Sequence, residues 1–285
     1  MLKIGKIYLQ RLEDQVRLCA DISLNGRGVT LWFGVEPEQE RYLSAERSDA
    51  FVVTMLFSAM RGGHDIYCET PMSERLHYQL ENYLIPSVCA AGERYKSIKI
   101  HAPLTAERMT NLGGVGTGFS GGADCLYTVM THGAESPYPL THLAVFNVGT
   151  FDGPEYQKNY HAACKDAAAV AKELGLELVC LDSNAVEVLN EDFLTVYAYR
   201  LLAGALALQG LFSVYLLSSG RAFGEFEMDL SNTAAYDLLI VHCIQTETLA
   251  TYCSGGEAKR SQKLLALADW QPAQRWLHPC FQQKE

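Results

Sequence analysis

Apolar and polar residues alternate on both sides of Asn25-Gly26, in the first region of the chain. Alternation with a period of two predicts half-buried strands, and Asn-Gly between them is a strong signal for a tight hairpin. Apolar residues then recur at helical spacing in "RSDAFVVTMLFSAM" and in "MSERLHYQLENYLIP". We expect Ser73 to cap the second helix and Pro86 to end it. The pattern indicates a small α+β unit.

From about residue 114 the pattern changes to continuous apolar runs that alternate with helices. The runs "THLAVFNV", "LELVCLD" and "LFSVYLL" predict buried strands, and a long helix before the second run is expected to end at Gly175. The apolar stretch 198–217 has the length of a membrane span, but Gln209-Gly210 divides it into a buried helix and a buried strand. We interpret "YDLLIVHC" as a fragment of a further strand. Strands alternating with helices are typical of a parallel sheet covered on both faces.

Composition and charge narrow the classes of function. The chain has 285 residues and a formal net charge of -10, which argues against a nucleic-acid partner because such binding relies on Lys and Arg. Its nine cysteines include no CxxC pair, and the first residues lack the apolar core of a signal peptide. This usage of cysteine is typical of reduced thiols. We therefore expect a cytoplasmic protein with no membrane segment.

The stretch "GVGTGFSGGADC" places a glycine-rich loop between a strand and a helix. Loops at the carboxyl ends of parallel strands collect ligands, and backbone amides at a helix N-terminus favour an anion. Without Cβ atoms, Gly121 and Gly122 would let phosphate oxygens approach closely, and Ser120 can donate its hydroxyl. Asp124 could hold a Mg²⁺ ion that bridges phosphate oxygens. The alternative is a turn that caps the helix, with Asp124 in its first turn for the dipole.

The segment "SGGADC" resembles the PP-loop, the SGGxDS signature of the ATP pyrophosphatase superfamily, with Cys125 in place of the final Ser. Similarity over about residues 114 to 280 extends to the 7-cyano-7-deazaguanine synthase-like branch, and in particular to relatives with an extra N-terminal domain. The resemblance implies an α/β fold in which a parallel-sheet, HUP-like (adenine nucleotide alpha hydrolase-like) domain spans 109–285. A small α+β domain would precede it at 1–108. ATP and Mg²⁺ are the implied cofactors.

The resemblance also implies roles for individual residues. In that branch an Arg-x-x-Lys segment opens a late helix near the active site, and here it corresponds to Arg260 and Lys263, which with Asp124 form the implied catalytic set. The alternative for the two cations, without a ligand, is a solvated basic face with Glu257 as a partner. The implied nucleotide-binding residues are Ser120, Gly121, Gly122, Ala123, Asp124, Cys125, Asn147, Val148 and Gly149, and the implied substrate residues are Ser218 and Ser219, which could equally be turn residues.

Zinc is not expected. The related synthase ends in a zinc-binding cysteine cluster, whereas this chain has only His278 and Cys280 near its end, with Cys243 and Cys253 at spacings that fit no familiar zinc site. Asp152 is interpreted as a turn carboxylate. Cys125 at a helix N-terminus could also be a reactive thiol, an interpretation we rank below phosphate binding.

Three functions are compatible with these residues. The resemblance implies an adenylating ligase or synthase that converts ATP to AMP and pyrophosphate, activating a carboxylate or amide oxygen for attack by a nitrogen nucleophile. A catalytically decayed nucleotide-binding or interaction protein, in a multi-gene defence system, is the alternative. Thiolation of tRNA ranks third, because the reactive cysteine pairs are missing. We expect a small-molecule or protein substrate and a role for the N-terminal domain in substrate selection or homodimer formation.

Overall fold

The computed structural model describes residues 1–24, 26–151, 155–189 and 191–278. Its first strands are β1 (Leu2–Ile4), β2 (Tyr8–Arg11), β3 (Val16–Leu24) and β4 (Arg27–Val35). Strands β3 and β4 pair antiparallel, with Leu24 opposite Arg27, and β3 also pairs with β1 and β2. The predicted hairpin is therefore confirmed, although Asn25 itself lies outside the described residues.

Helices and short strands complete this region. Helix α1 (Asp49–Gly62) precedes β5 (Ile66–Cys68), which runs parallel to β1, and β7 (Ile100–His101) pairs with β5. Strands β6 (Met72–Ser73) and β8 (Leu104–Thr105) form a separate pair.

Ser73 caps the helix that follows it. Its hydroxyl accepts a hydrogen bond from the Leu76 amide at the start of α2 (Glu74–Gln79). The predicted stop before Pro86 is wrong, because a π-helical turn (Leu80–Leu84) leads directly into α3 (Ile85–Ala91). The proline is the second residue of α3, directly after the π-helical turn, so the helix continues through the position where we predict its end.

The second region alternates strands and helices as the pattern predicts. In chain order the elements are β9 (Gly114–Gly118), α4 (Ala123–Thr131), β10 (His142–Asn147), α5 (Tyr156–Leu174), β11 (Glu177–Ser183), α6 (Ala185–Val188), α7 (Phe193–Ala207), β12 (Phe212–Ser218), α8 (Asp237–Cys243), β13 (Ala250–Ser254), α9 (Arg260–Leu267) and α10 (Gln271–Trp276). Strands β13, β12, β9, β10 and β11 lie side by side and parallel. Gly175 ends α5 in the left-handed conformation.

The interpretation of "YDLLIVHC" as strand is wrong, since the segment forms α8. Ile240 and Ile244 are buried, whereas Leu238 and His242 are exposed, and this four-residue spacing belongs to a helix. Within the described ranges, no helix has both the length and the apolar character needed to cross a membrane.

In the described part of the chain, one mixed sheet of eleven strands runs through both regions. Its order is β13-β12-β9-β10-β11-β4-β3-β1-β5-β7, with β2 attached to β3. The junction is antiparallel, with Asp182 of β11 opposite Gly34 of β4. The α/β class is confirmed, while the HUP-like identity of 109–285 and the domain boundary after residue 108 stay predictions.

The core lies on both faces of this sheet. Ala144 and Phe146 of β10 belong to a large apolar cluster that extends from β1 through α1 to α7 and α8. Leu143 and Val145 point to the opposite face, where a second cluster packs under α4, α5 and α10. The two clusters fix the helices around the carboxyl ends of β9 and β12, where the candidate site lies.

Candidate functional site

The glycine-rich loop lies at the point where the order of the strands in the sheet reverses. From β9 the chain continues to β10 on one side, and β12 later returns to the other side of β9. Ser120 and the two glycines after it connect β9 to α4, while Ser218 ends β12. Crevices at such switch points are the usual ligand sites of open parallel sheets.

The structure brings together the three residues that we predicted to be catalytic. Asp124 Oδ2 lies 2.5 Å from Arg260 Nη2, and Asp124 Oδ1 lies 3.0 Å from Lys263 Nζ. The carboxylate is in the first turn of α4, and both cations are in the first four residues of α9. Residues separated by 136 and 139 positions therefore form one ion cluster.

Lys263 and Arg260 differ in how far their side chains are exposed to solvent. The Lys263 side chain is 1% exposed, and its ammonium group also donates to the Ser219 backbone oxygen at 2.7 Å. The Arg260 side chain is 59% exposed. The alternative of a solvated basic face does not fit Lys263, because its side chain is buried. Glu257, the partner in that alternative, accepts a hydrogen bond from Tyr127 Oη at 3.0 Å. Lys263 is thus a fixed charge, whereas Arg260 can reorient.

Cys125 lies in the first turn of α4, next to the loop. Its thiol is buried, donates to the Gly122 carbonyl oxygen at 3.1 Å and lies 3.7 Å from Ser120 Oγ. Burial raises the pKa of the Cys125 thiol, and hydrogen bonds from the loop amides oppose this only in part. The group is therefore mainly protonated at neutral pH, which does not favour the reactive-thiol interpretation.

The space beside Gly121 is filled by the chain itself. Gly121 has φ +71°, and a Cβ placed there would lie 2.8 Å from His278 Cδ2 and 3.1 Å from the Trp276 oxygen. A Cβ on Gly122 would meet Ser120 Oγ at 3.4 Å. The sequence predicts that phosphate oxygens approach both glycines. In this structure Trp276 and His278 occupy the Cβ side of Gly121, which leaves Gly122 as the more open of the two.

The predicted adenine segment begins at Asn147, the last residue of β10, at the same edge of the sheet. Asn147 Nδ2 donates to Asp182 Oδ1 at 2.6 Å, which ties it to β11, and Val148 is fully buried. Gly149 has φ +110°, and a Cβ there would lie 2.6 Å from Arg200 Nη1. These contacts hold the backbone of the segment in a fixed shape.

The two crevice serines have different surroundings. Ser218 Oγ lies 3.3 Å from Thr117 Oγ1 of β9. Ser219 is buried, its hydroxyl lies 2.7 Å from Asp237 Oδ2, and its backbone oxygen accepts from Lys263. Ser219 therefore links the ion cluster to Asp237.

Asp237 also belongs to the site, although the sequence pattern does not single it out, because its apolar segment suits a strand as well as a helix. It is buried at the start of α8, and it also accepts a hydrogen bond from Cys253 Sγ at 3.5 Å. Burial raises the pKa of Asp237, opposed by the Ser219 and Cys253 hydrogen bonds and by the charge of Lys263. The helical spacing of Ile240 and Ile244 is the signal that could have placed it.

The donor set fits Mg²⁺ only in part. Asp124 is 19% exposed, and both of its oxygens pair with cations, so the protein offers one carboxylate and the phosphate oxygens of a ligand would have to complete the coordination. Among the residues that the structure describes, no group of three or more His, Cys, Asp and Glu side chains is placed to hold a metal ion. Asp152 and Cys280 lie outside those residues.

No family model, curated protein or solved structure matches the chain significantly. Membership in the PP-loop superfamily therefore stays a prediction.

Proposed function

We propose that this chain is an ATP-dependent adenylating enzyme of the PP-loop type, 7-cyano-7-deazaguanine synthase-like in its chemistry. It would convert ATP to AMP and pyrophosphate, and activate a carboxylate or amide oxygen for attack by a nitrogen nucleophile. The observation that carries the proposal is the meeting of the glycine-rich loop with Arg260 and Lys263 at the switch point of the sheet.

The loop would bind the phosphates. The backbone amides at the start of α4 and the hydroxyl of Ser120 are donors that suit phosphate oxygens, and the dipole of α4 favours negative charge there. Asp124 would hold Mg²⁺, which when bound neutralises phosphate charge. Asn147 to Gly149 present a constrained backbone segment at the next strand end, suited to the edge of an adenine ring.

The cations would act on the leaving group. When an acceptor oxygen attacks the α-phosphorus, the bond to the bridging oxygen breaks and pyrophosphate leaves with added negative charge. Lys263 is fixed before the reaction and Arg260 can follow the departing group, so both would stabilise this charge electrostatically. No side-chain nucleophile is required, which agrees with the buried, mainly protonated Cys125.

A second candidate is a nucleotide-binding protein without turnover. One observation favours it: the Trp276–His278 segment occupies the approach to Gly121. A substrate that must reach the loop from that side would be excluded. Binding and turnover therefore need separate measurements.

The test measures ATP binding by calorimetry with and without Mg²⁺, then AMP and pyrophosphate formation with a panel of carboxylic acids and amides plus ammonium ion. We expect the wild type to bind ATP in a Mg²⁺-dependent way and Asp124→Asn to lose that dependence and all AMP formation. Glu257→Gln is the matched control, because it removes a neighbouring carboxylate that contacts Tyr127 rather than the cations. Absence of ATP binding in the wild type would contradict the nucleotide proposal, and ATP binding without AMP formation would support the second candidate.

A further inference from the structure

In the ion cluster, one carboxylate pairs with two cations. Both cations lie at the start of α9, where the helix dipole opposes positive charge, and both hydrogen-bond to the Asp124 carboxylate. Cations in this position require an anionic partner. In this structure Asp124 meets that requirement from the neighbouring helix.

The requirement is strongest at Lys263. A buried ammonium group is costly unless it is paired, and this one has 1% of its side chain exposed. Two of its three N–H groups are used by Asp124 Oδ1 and the Ser219 oxygen. The nearby Asp237 accepts hydrogen bonds from Ser219 Oγ and Cys253 Sγ. Without the negative charge of Asp124, only neutral oxygen acceptors would remain for the hydrogen bonds of Lys263, among them the Ser219 carbonyl oxygen.

We propose that Asp124 stands in for a phosphate group and masks Arg260 and Lys263 until a phosphate-bearing ligand takes them over. The ligand class is a di- or triphosphate. The exposed Arg260 would turn towards it, whereas the buried Lys263 would bind it in place. The inference rests on the proposed function only for the choice of ligand. Because of this masking, the site rejects free polyphosphate as long as Asp124 is paired with the two cations.

The test uses inorganic pyrophosphate in a metal-free buffer that contains EDTA. Asp124→Asn keeps the shape of the side chain and removes its charge, so it unmasks both cations. Calorimetry should show at least tenfold tighter pyrophosphate binding than in the wild type. Glu257→Gln makes the same change of charge a short distance away and should bind pyrophosphate like the wild type. Equal or weaker binding by Asp124→Asn would overturn the proposal, and so would an equal gain in Glu257→Gln.

A second comparison identifies the groups that are unmasked. Adding Arg260→Gln to Asp124→Asn should remove most of the gain, and full retention of the gain would contradict the proposed role of Arg260. Because Arg260 is largely exposed, its replacement leaves the core intact. If Asp124→Asn does not fold, Asp124→Ser is the second neutral variant, and it must show the same gain in pyrophosphate binding over the wild type. Thermal unfolding with and without pyrophosphate measures that gain.

The two proposals fail separately. Loss of the proposed function would appear as a wild type that binds no Mg²⁺–ATP, even if Asp124→Asn gains pyrophosphate affinity. Failure of the masking proposal would appear as a wild type that binds Mg²⁺–ATP while Asp124→Asn shows no such gain.

Discussion

The backbone N–H of His278 donates a hydrogen bond to the Gly121 carbonyl oxygen at 2.9 Å, which ties the C-terminal side of the described chain to the glycine-rich loop. Trp276 and Arg275, directly before this contact, are themselves anchored to α5. Trp276 Nε1 donates to Glu173 Oε2 at 2.9 Å, and Arg275 forms an ion pair with the same carboxylate. These contacts lower the pKa of Glu173. The loop is therefore held from α4 and from the segment after α10.

The tie predicts that Gly121 tolerates no side chain. In Gly121→Ala the left-handed φ costs about 1–2 kcal/mol, and the added Cβ would also push against His278. Urea denaturation should show this loss of stability. Gly122→Ala is the matched control, because its φ of -76° suits any residue and its Cβ would lie 3.4 Å from a hydroxyl oxygen. Equal losses in the two variants would contradict the role of the His278 contact.

The two cations should respond differently to replacement. Lys263→Met leaves the volume nearly unchanged but removes the ammonium group that bonds Asp124 and the Ser219 oxygen, so we expect a loss of about 1–3 kcal/mol. Arg260→Gln breaks an exposed pair and should cost at most about 1 kcal/mol. Urea denaturation of both variants checks the order. A larger loss in Arg260→Gln would show that the buried position of Lys263 is not the basis of its stabilising effect.

Local pattern accounts for much of the second region. The apolar run of β10, the long helix α5 that ends at Gly175, and the division at Gln209-Gly210 all follow from residue spacing and turn chemistry. The pairing of β11 with β4 does not, because Asp182 and Gly34 are far apart in sequence and no local signal specifies an antiparallel junction. Helix α8 was missed because a short apolar run suits either period.

The site shows the same limit. The motif "SGGADC" located the loop, and the resemblance named the two cations, yet neither specified that Asp124 pairs with both of them. The space beside Gly121 depends on where a segment more than 150 positions away packs. Non-local packing decides such contacts, and hydrophobic periodicity carries no information about them.

Thiol reactivity should distinguish Cys125 from Cys164. Burial raises the pKa of Cys125, whereas hydrogen bonds from Cys180 and Tyr160 lower the pKa of the half-buried Cys164. Because the thiolate is the reactive form, iodoacetamide at pH 7.5 should label Cys164 well before Cys125 in the native protein. Peptide mapping by mass spectrometry measures both rates in one sample. Faster labelling of Cys125 would revive the reactive-thiol interpretation of the loop.

Stability should fall as the pH rises through the titration of Asp49. This buried carboxyl accepts hydrogen bonds from the Ser73 amide at 2.9 Å and from Gln209 Nε2 at 3.0 Å. Burial raises its pKa from 3.8 to about 6, despite both hydrogen bonds. The folded state therefore binds the proton more tightly than the unfolded state. The stabilisation is complete below pH 3.8 and is lost as the pH rises to about 6.

A shift of this size corresponds to roughly 3 kcal/mol over that interval. We expect Asp49→Asn to be less stable than the wild type at low pH, since an amide NH2 in place of Oδ2 cannot accept the hydrogen bond that Gln209 Nε2 donates. The deficit should shrink as the pH rises, because only the wild type then has to bury a charge. Urea denaturation of both proteins at several values between pH 4.5 and 7.5 measures the difference. A difference that stays constant with pH would show that Asp49 titrates alike in the folded and unfolded states.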